Sequence, residues 1–300
     1  HVFISSLKTA NPRRAPAAKV RNSRKAELMA PESATNNKLL ILGAAVGYSA
    51  EQLKPFVISL KETDYQGDVV FLISRSDTDA ESIATLQSWG IKLEPFESWR
   101  LIPACLHFTR YIKYFEYITE YKYDYILLTD TIDVIFQKNP FYIDGTNDLY
   151  FFAEDSSVRI GTCVDNSKWI KSGFGSHKVV SLHDKVISCS GVTMGSYYGI
   201  MKYLMKMIEI ASRVDTESLR VAGIDQAFHN VLIHDQLIEG FRFMANQKHV
   251  NTMGHVAKDG VRLADDGTVV NSDGTISNIV HQYNYPRHKA VHAAILKRYS

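Results

Sequence analysis

The chain has 300 residues, 45% apolar and 22% charged, enough to bury one large α/β core or two small ones. Its formal net charge of +2 argues against a whole-molecule field that would draw in nucleic acid. No apolar run reaches the roughly 18 residues that a membrane span needs.

Residues 1–37 read as a disordered basic leader or linker. Seven Lys or Arg and no acid fall between Lys8 and Lys25, in a run rich in Ala, Ser, Asn and Pro. A membrane stem, a targeting segment or a nucleic-acid arm would have the same composition, and HVFISS could be the remnant of a trimmed segment. Order is expected from residue 38 to 300. KLLILGAAV (38–46) is a buried strand running into a loop, and Ser49 with Gln52 forms a capping-box pattern for a helix through Leu60. DVVFLIS (68–74) is a second strand, followed by a helix that starts at Asp77 or Asp79 and stops at Gly90. IKLEPF (91–96) is a third strand, and a longer helix spans Ala104 to Tyr121 with Leu106, Tyr111, Tyr114, Phe115 and Ile118 inward. YILLTDTIDVIFQKNPF (125–141) is the fourth strand. This β-α-β-α-β-α-β order predicts a mostly parallel sheet flanked by helices, with ligands beyond the carboxyl ends of its strands. The second half is mixed: strands at 148–154, 185–190, 241–245 and 277–283, and helices at 197–212 and 225–234.

Asp130 and Asp133 stand between two apolar runs, where burying a carboxylate is costly unless it is paired, hydrogen-bonded or bound to a metal. Mn²⁺ or Mg²⁺ takes one or two carboxylates plus phosphate and water, so the pair is a candidate metal site. The alternative has Asp130 capping a turn while Asp133 binds backbone amides.

An apolar strand ending in a D-x-D-like DTID, followed by VIFQKNPF, resembles the metal-dependent GT-A glycosyltransferases over about 38–286, most of all enzymes of viral, algal and plant surface-glycan synthesis. The resemblance implies a Rossmann-like GT-A domain over 38–300, with two aspartates holding Mn²⁺ or Mg²⁺ against the diphosphate of a nucleotide sugar. It departs in spacing, since DTID has two residues between its acids. The resemblance also implies that His281, in IVHQYNYP, completes the metal site as in many retaining members. A structural histidine is the alternative. Asp225 and Gln226, in GIDQAFHN, match an acid followed by Gln near the transferred sugar, although Asp225 could simply cap its helix. SCSGVTMG (188–195) matches a small-residue segment after a central strand, in which Gly191 would let backbone approach the sugar; an ordinary strand-to-helix turn is the other reading.

On the same grounds Ala44 and Tyr48 would contact base and ribose, and Arg110 the diphosphate, with sheet-edge cover and a surface ion pair as the plainer roles. Glu154 and Asp155 are further candidates for sugar contact or catalysis, and HKAVH (288–292) reads as a solvated face. The function implied is transfer of a hexose or deoxyhexose from a nucleotide-diphosphate donor to a glycan or glycoconjugate hydroxyl, with retention favoured by His281. The rivals are a non-catalytic nucleotide-sugar or glycan-binding module and an aspartate-dependent phosphotransferase. LGAAVG is a poor match to a methyltransferase loop. Three cysteines without C-x-x-C, and no N-x-S/T sequon, lean towards a cytoplasmic location, with a secretory lumen open if an anchor was removed.

Overall fold

The computed structural model describes residues 37–143 and 147–300. The basic leader expected over 1–37 lies outside the described residues but for Asn37. The first half alternates as expected: β1 (Leu39–Ala44), α1 (Ala50–Lys61), β2 (Asp68–Ile73), α2 (Ala80–Ser88), β3 (Lys92–Pro95), α3 (Leu106–Glu120) and β4 (Tyr125–Thr129). Ser49 and Gln52 form the capping box of α1, Asp79 caps α2, and Gly90 follows α2 at φ 82°. Burial along β1 alternates with the pleat. Leu40 and Leu42 join Leu128, Tyr111 of α3 and the helices of the second half on one face, while Ile41 joins Leu53 and Phe56 of α1 and Phe71 on the other. Full burial of such side chains is worth about 1.5–3 kcal/mol each.

The chain continues with β5 (Val134–Phe136), β6 (Leu149–Ala153), α4 (Val164–Phe174), α5 (Ser176–Ser181), β7 (Ser188–Ser196), α6 (Tyr197–Ala211), α7 (Thr216–Leu219) and α8 (Ile224–His234). After these come β8 (Phe241–Met244), β9 (Val250–Thr252), β10 (Val261–Leu263), β11 (Val269–Asn271), β12 (Ile279–His281) and α9 (Lys289–Tyr299). The main sheet has the order β3-β2-β1-β4-β7-β6-β8. Strands β1 to β4 are parallel, and β7 runs antiparallel to both β4 and β6. The chain progresses from β1 outward to β3 and then crosses back to place β4 on the other side of β1. The carboxyl ends of β1 and β4 therefore flank a topological switch point.

Three expectations are corrected. The stretch 125–141 is not one strand: it breaks at Asp130–Asp133, and β5 leaves the main sheet to pair with β12. The strand placed at 185–190 starts at Ser188 and runs to Ser196, so the small residues of SCSGVTMG form the strand itself. Pairing with both β4 and β6 holds this segment extended, although its composition resembles a turn. HKAVH is not a solvated face: His288 is buried, with Nε2 at 3.0 Å from the Met253 carbonyl and 3.2 Å from that of Val256. Cys105, Cys163 and Cys189 are free thiols. Among the described residues no helix is long and apolar enough to cross a membrane.

Candidate active site

The break in DTID is built by its neighbours. The Asp130 amide still donates to the Gly191 carbonyl at 2.8 Å, which carries the β4–β7 ladder one residue past the strand end. Thr131 then turns back onto β1, its Oγ1 donating to the Ala44 carbonyl at 2.9 Å. A Cβ on Gly43 would lie 2.4 Å from Thr131 Cγ2, so this return needs a glycine. The Tyr283 hydroxyl donates to the Ile132 carbonyl at 3.2 Å, and the Gln282 amide to that of Asp133 at 2.9 Å. Strand β5 departs antiparallel to β12, with Val134 opposite His281. The departure that ends β4 thus brings His281 beside both aspartates.

Asp130, Asp133 and His281 each offer one ligand atom, and these atoms lie within 4.8 Å of one another. His281 Nε2 is 3.5 Å from Asp130 Oδ2 and 3.6 Å from Asp133 Oδ1. His281 is 1% exposed, and its Nδ1 contacts Cys189 Sγ at 3.4 Å, which aims Nε2 at the carboxylates. His281 Nε2 and Asp133 Oδ1 are buried without a hydrogen-bond partner among the described residues. Burial would raise the Asp130 carboxyl, but the charges of Arg110 and His281 outweigh it and hold that group below the usual carboxylate range. Burial, reinforced by the charge of Asp130, pushes Asp133 up to about 6 against the pull of His281. Burial opposes charge on His281, yet Cys189 and the two aspartates keep its proton affinity well above normal. Two acids and an imidazole with two orphaned polar atoms fit a hard divalent cation such as Mn²⁺ or Mg²⁺.

Arg110 is not a surface residue. Its side chain is 12% exposed, and it bonds Asp130 through Nη1 and Asp225 Oδ2 through Nη2, the latter at 3.0 Å. Asp225 does not cap α8, whose N-cap is Gly223 at φ 90°. It lies in the first turn, where its Oδ2 also accepts from Ser190 Oγ at 3.2 Å. Gln226 bridges two segments: Oε1 accepts from the Ser190 amide at 2.7 Å, and Nε2 donates to Glu154 Oε1 at 3.0 Å. A register irregularity between β6 and β7 leaves the Ser188 and Ser190 amides to side chains of α8, Asn230 and Gln226 respectively. Gly191 faces the metal-ligand group so closely that a Cβ there would lie 2.5 Å from His281 Cε1 and 2.6 Å from Asp130 Oδ2.

These residues line one cleft of about 380 Å³ at the switch point, and Ala44, Tyr48 and Glu154 line it too. Asp155 is not among its walls. Sequence patterns did not single out Trp169 and His255, which also line it. His255 comes from a short helical turn, Met253–His255, with no periodic signal. Trp169 lies on α4, whose buried face is only Asn166 and Ile170.

No protein-family model matches the chain, and no curated protein matches it. Among solved structures, the galactosyltransferase LgtC in complex with donor and acceptor sugar analogues is 16% identical and superposes with a TM-score of 0.53. That match covers 85% of this chain and 95% of LgtC. An active-site glutamine-to-glutamate mutant of LgtC, also 16% identical, gives a TM-score of 0.50 over 82% of this chain and 87% of the mutant. At such identity the likeness is one of fold. The chain has the GT-A fold, a Rossmann-like and mostly parallel sheet flanked by helices.

Proposed function

We propose that the protein is a metal-dependent glycosyltransferase, moving a hexose or deoxyhexose from a nucleotide-diphosphate sugar to a glycan or glycoconjugate hydroxyl with retention at the anomeric carbon. The observation that carries this is the Asp130–Asp133–His281 cluster, with its two orphaned atoms, at the switch point of a GT-A sheet. LgtC was solved with donor and acceptor sugar analogues, which supports a sugar as both donor and acceptor here. A cation held by the three residues would neutralise the diphosphate as it leaves.

The chain's own residues supply the rest. Arg110 adds a fixed positive charge beside Asp130, suited to a diphosphate oxygen. Ala44, at the end of β1, and Tyr48, in the loop that follows, form the nucleotide end of the cleft. Gly191 leaves room for backbone to approach the sugar. Asp225, held by Arg110 and Ser190, is the group to steady the positive charge that grows on the transferred sugar, with Glu154 and Gln226 further along the same wall. The acceptor hydroxyl has to be held in line with the anomeric carbon, and the cleft walls supply that alignment.

A panel of nucleotide sugars, screened by thermal shift with Mn²⁺ and then by turnover, tests this. One donor is expected to stabilise the fold through linkage and to be consumed when a glycan acceptor is added. Stabilisation without consumption would favour a binding module, and neither effect with any donor would refute the proposal.

A further inference from the structure

Residues 37–300 carry 27 Lys or Arg against 30 Asp or Glu, yet the stretch from Ser157 to Lys185 holds five Lys or Arg and only two Asp. That basic stretch folds as one excursion from the sheet, tied at its base. Arg159 bridges Val186 in an antiparallel pair, the Ile160 amide donates to the Lys185 carbonyl at 3.0 Å, and the Gly161 amide donates to the His183 carbonyl at 2.9 Å. Helices α4 and α5 lie between these tied ends and meet at Gly175, whose φ is 81°.

One face of α4 is spent on the core: Asn166 and Ile170 are buried, and Ile170 shares a cluster with Ile224 and Phe228 of α8. At about 100° per residue, Val164, Lys168 and Lys171 fall in a single stripe about 60° wide on the opposite face. All three are exposed, Val164 at 82%. On α5, Val179 packs inward while Val180 is 75% exposed, and Lys185 beyond it is exposed as well. Among the described residues Arg159, Lys168, Lys171 and Lys185 form no ion pair, whereas Lys178 is held by Asp235. The two acids of the stretch are Asp165, at the cleft, and Asp184, whose Oδ1 is 2.8 Å from His183 Nδ1.

Free lysines around exposed valines, with no exposed Phe, Tyr or Trp between 159 and 186, fit one kind of partner. Nucleic acid is gripped through arginine forks and ring stacking, which this face does not offer. A lipid headgroup layer gives phosphates to the lysine ends, and its apolar boundary takes their stems and the valines. We propose that the outer face of residues 159–186, led by Val164, Lys168, Lys171, Val180 and Lys185, docks the protein on an anionic lipid bilayer. Asp165, Asn166 and Trp169 of the same helix line the cleft, so docking sets the cleft beside the membrane surface. This surface stands apart from the glycosyltransferase reading and does not depend on it.

The test sediments the full chain with vesicles of phosphatidylcholine alone and of phosphatidylcholine mixed with phosphatidylglycerol. Binding is expected to the mixed vesicles only, and it should weaken as salt rises. Residues 8–25 are basic too, so variants assign the contact. Lys168→Glu, Lys171→Glu and Lys185→Glu together should weaken binding by about a hundredfold or more, at about fivefold for each lysine lost. Arg13→Glu, Arg14→Glu and Lys19→Glu together should cost less. Val164→Ser with Val180→Ser should weaken binding by about fivefold at unchanged charge. All five positions of the face are exposed, so circular dichroism and the urea midpoint should stay as in wild type. No binding to the mixed vesicles, or equal binding by wild type and the triple lysine variant, overturns the docking face. Preference for a DNA duplex over the mixed vesicles overturns it as well, in favour of nucleic acid.

Discussion

His281 Nε2 and Asp133 Oδ1 lie 3.6 Å apart, both buried, and neither has a hydrogen-bond partner among the described residues. The cost of two orphaned polar atoms is of order 1–3 kcal/mol each. Neighbouring backbone does not relieve it, because the amide of Gln282 is spent on the Asp133 carbonyl, outside the carboxylate. With Asp130 Oδ2 also 3.5 Å from the same imidazole nitrogen, the three groups converge on one point where a cation would satisfy them together.

Cation binding should weaken in acid. Burial and the neighbouring Asp130 push Asp133 up to about 6, and His281 also holds its proton strongly. Protons therefore compete with the metal for the same atoms, and the affinity should rise as pH rises through 6, where Asp133 ionises, and go on rising above it as the cation displaces the proton of His281. Isothermal titration with Mn²⁺ from pH 5 to pH 7.5 checks this. A gain of about tenfold or more per pH unit below 6 is expected, and a flat profile would place the cation elsewhere.

Gly191 is a glycine because its neighbours leave no room for a side chain. A Cβ there would meet His281 and Asp130 at 2.5 and 2.6 Å. Gly191→Ala should cost about 1–3 kcal/mol of stability through overpacking, and it should weaken Mn²⁺ more than Gly195→Ala does. Circular dichroism confirms the fold, and Mn²⁺ titration reads the ligand displacement.

Arg110 is the internal counter-charge for two acids. Arg110→Met should destabilise the metal-free chain by about 3–5 kcal/mol, because Asp130 and Asp225 lose their buried partner. Added Mn²⁺ should return part of that stability by supplying positive charge beside Asp130. Urea unfolding with and without Mn²⁺ measures both effects.

Away from the cleft, His229 links α8 to the sheet: Nε2 contacts Ser188 Oγ at 2.8 Å and Nδ1 contacts the Tyr203 hydroxyl at 2.7 Å. Burial lowers its pKa to about 3 from an ordinary 6.5, so the folded state keeps the ring neutral. Below 6.5 the unfolded chain binds a proton that the folded chain refuses, and stability falls as pH drops towards 3. The loss should reach about 2 kcal/mol between pH 7 and pH 5. His229→Gln should be less stable at pH 7 yet lose less on acidification, as read from urea midpoints at both values.

The first half of the fold was legible because its signals are local. Apolar runs of strand length alternate with capped helices, and the Ser49–Gln52 capping box forms as its spacing predicts. DTID was legible as a site because two acids between apolar runs have no cheap structural use. Its bend was not, since the return of Thr131 onto Ala44 and the pairing of β5 with β12 involve partners 87 and about 145 residues away. Strand β7 reads as turn-like small residues until β4 and β6 hold it extended. Helix α4, VDNSKWIKSGF, contains Asn, Ser and Gly, so propensity hides it and Trp169 with it. His288 and His255 sit on three-residue helical turns, too short for any period to register.

The most direct measurement is Mn²⁺ binding, followed by electron paramagnetic resonance, in wild type, Asp133→Ala and His281→Ala. The expected result is one site per chain in wild type and a loss of affinity of about tenfold or more in each variant. A nucleoside diphosphate should tighten the site in wild type. Equal binding by all three proteins, or none in wild type, would contradict a metal centre at Asp130, Asp133 and His281 and the sugar-transfer chemistry built on it.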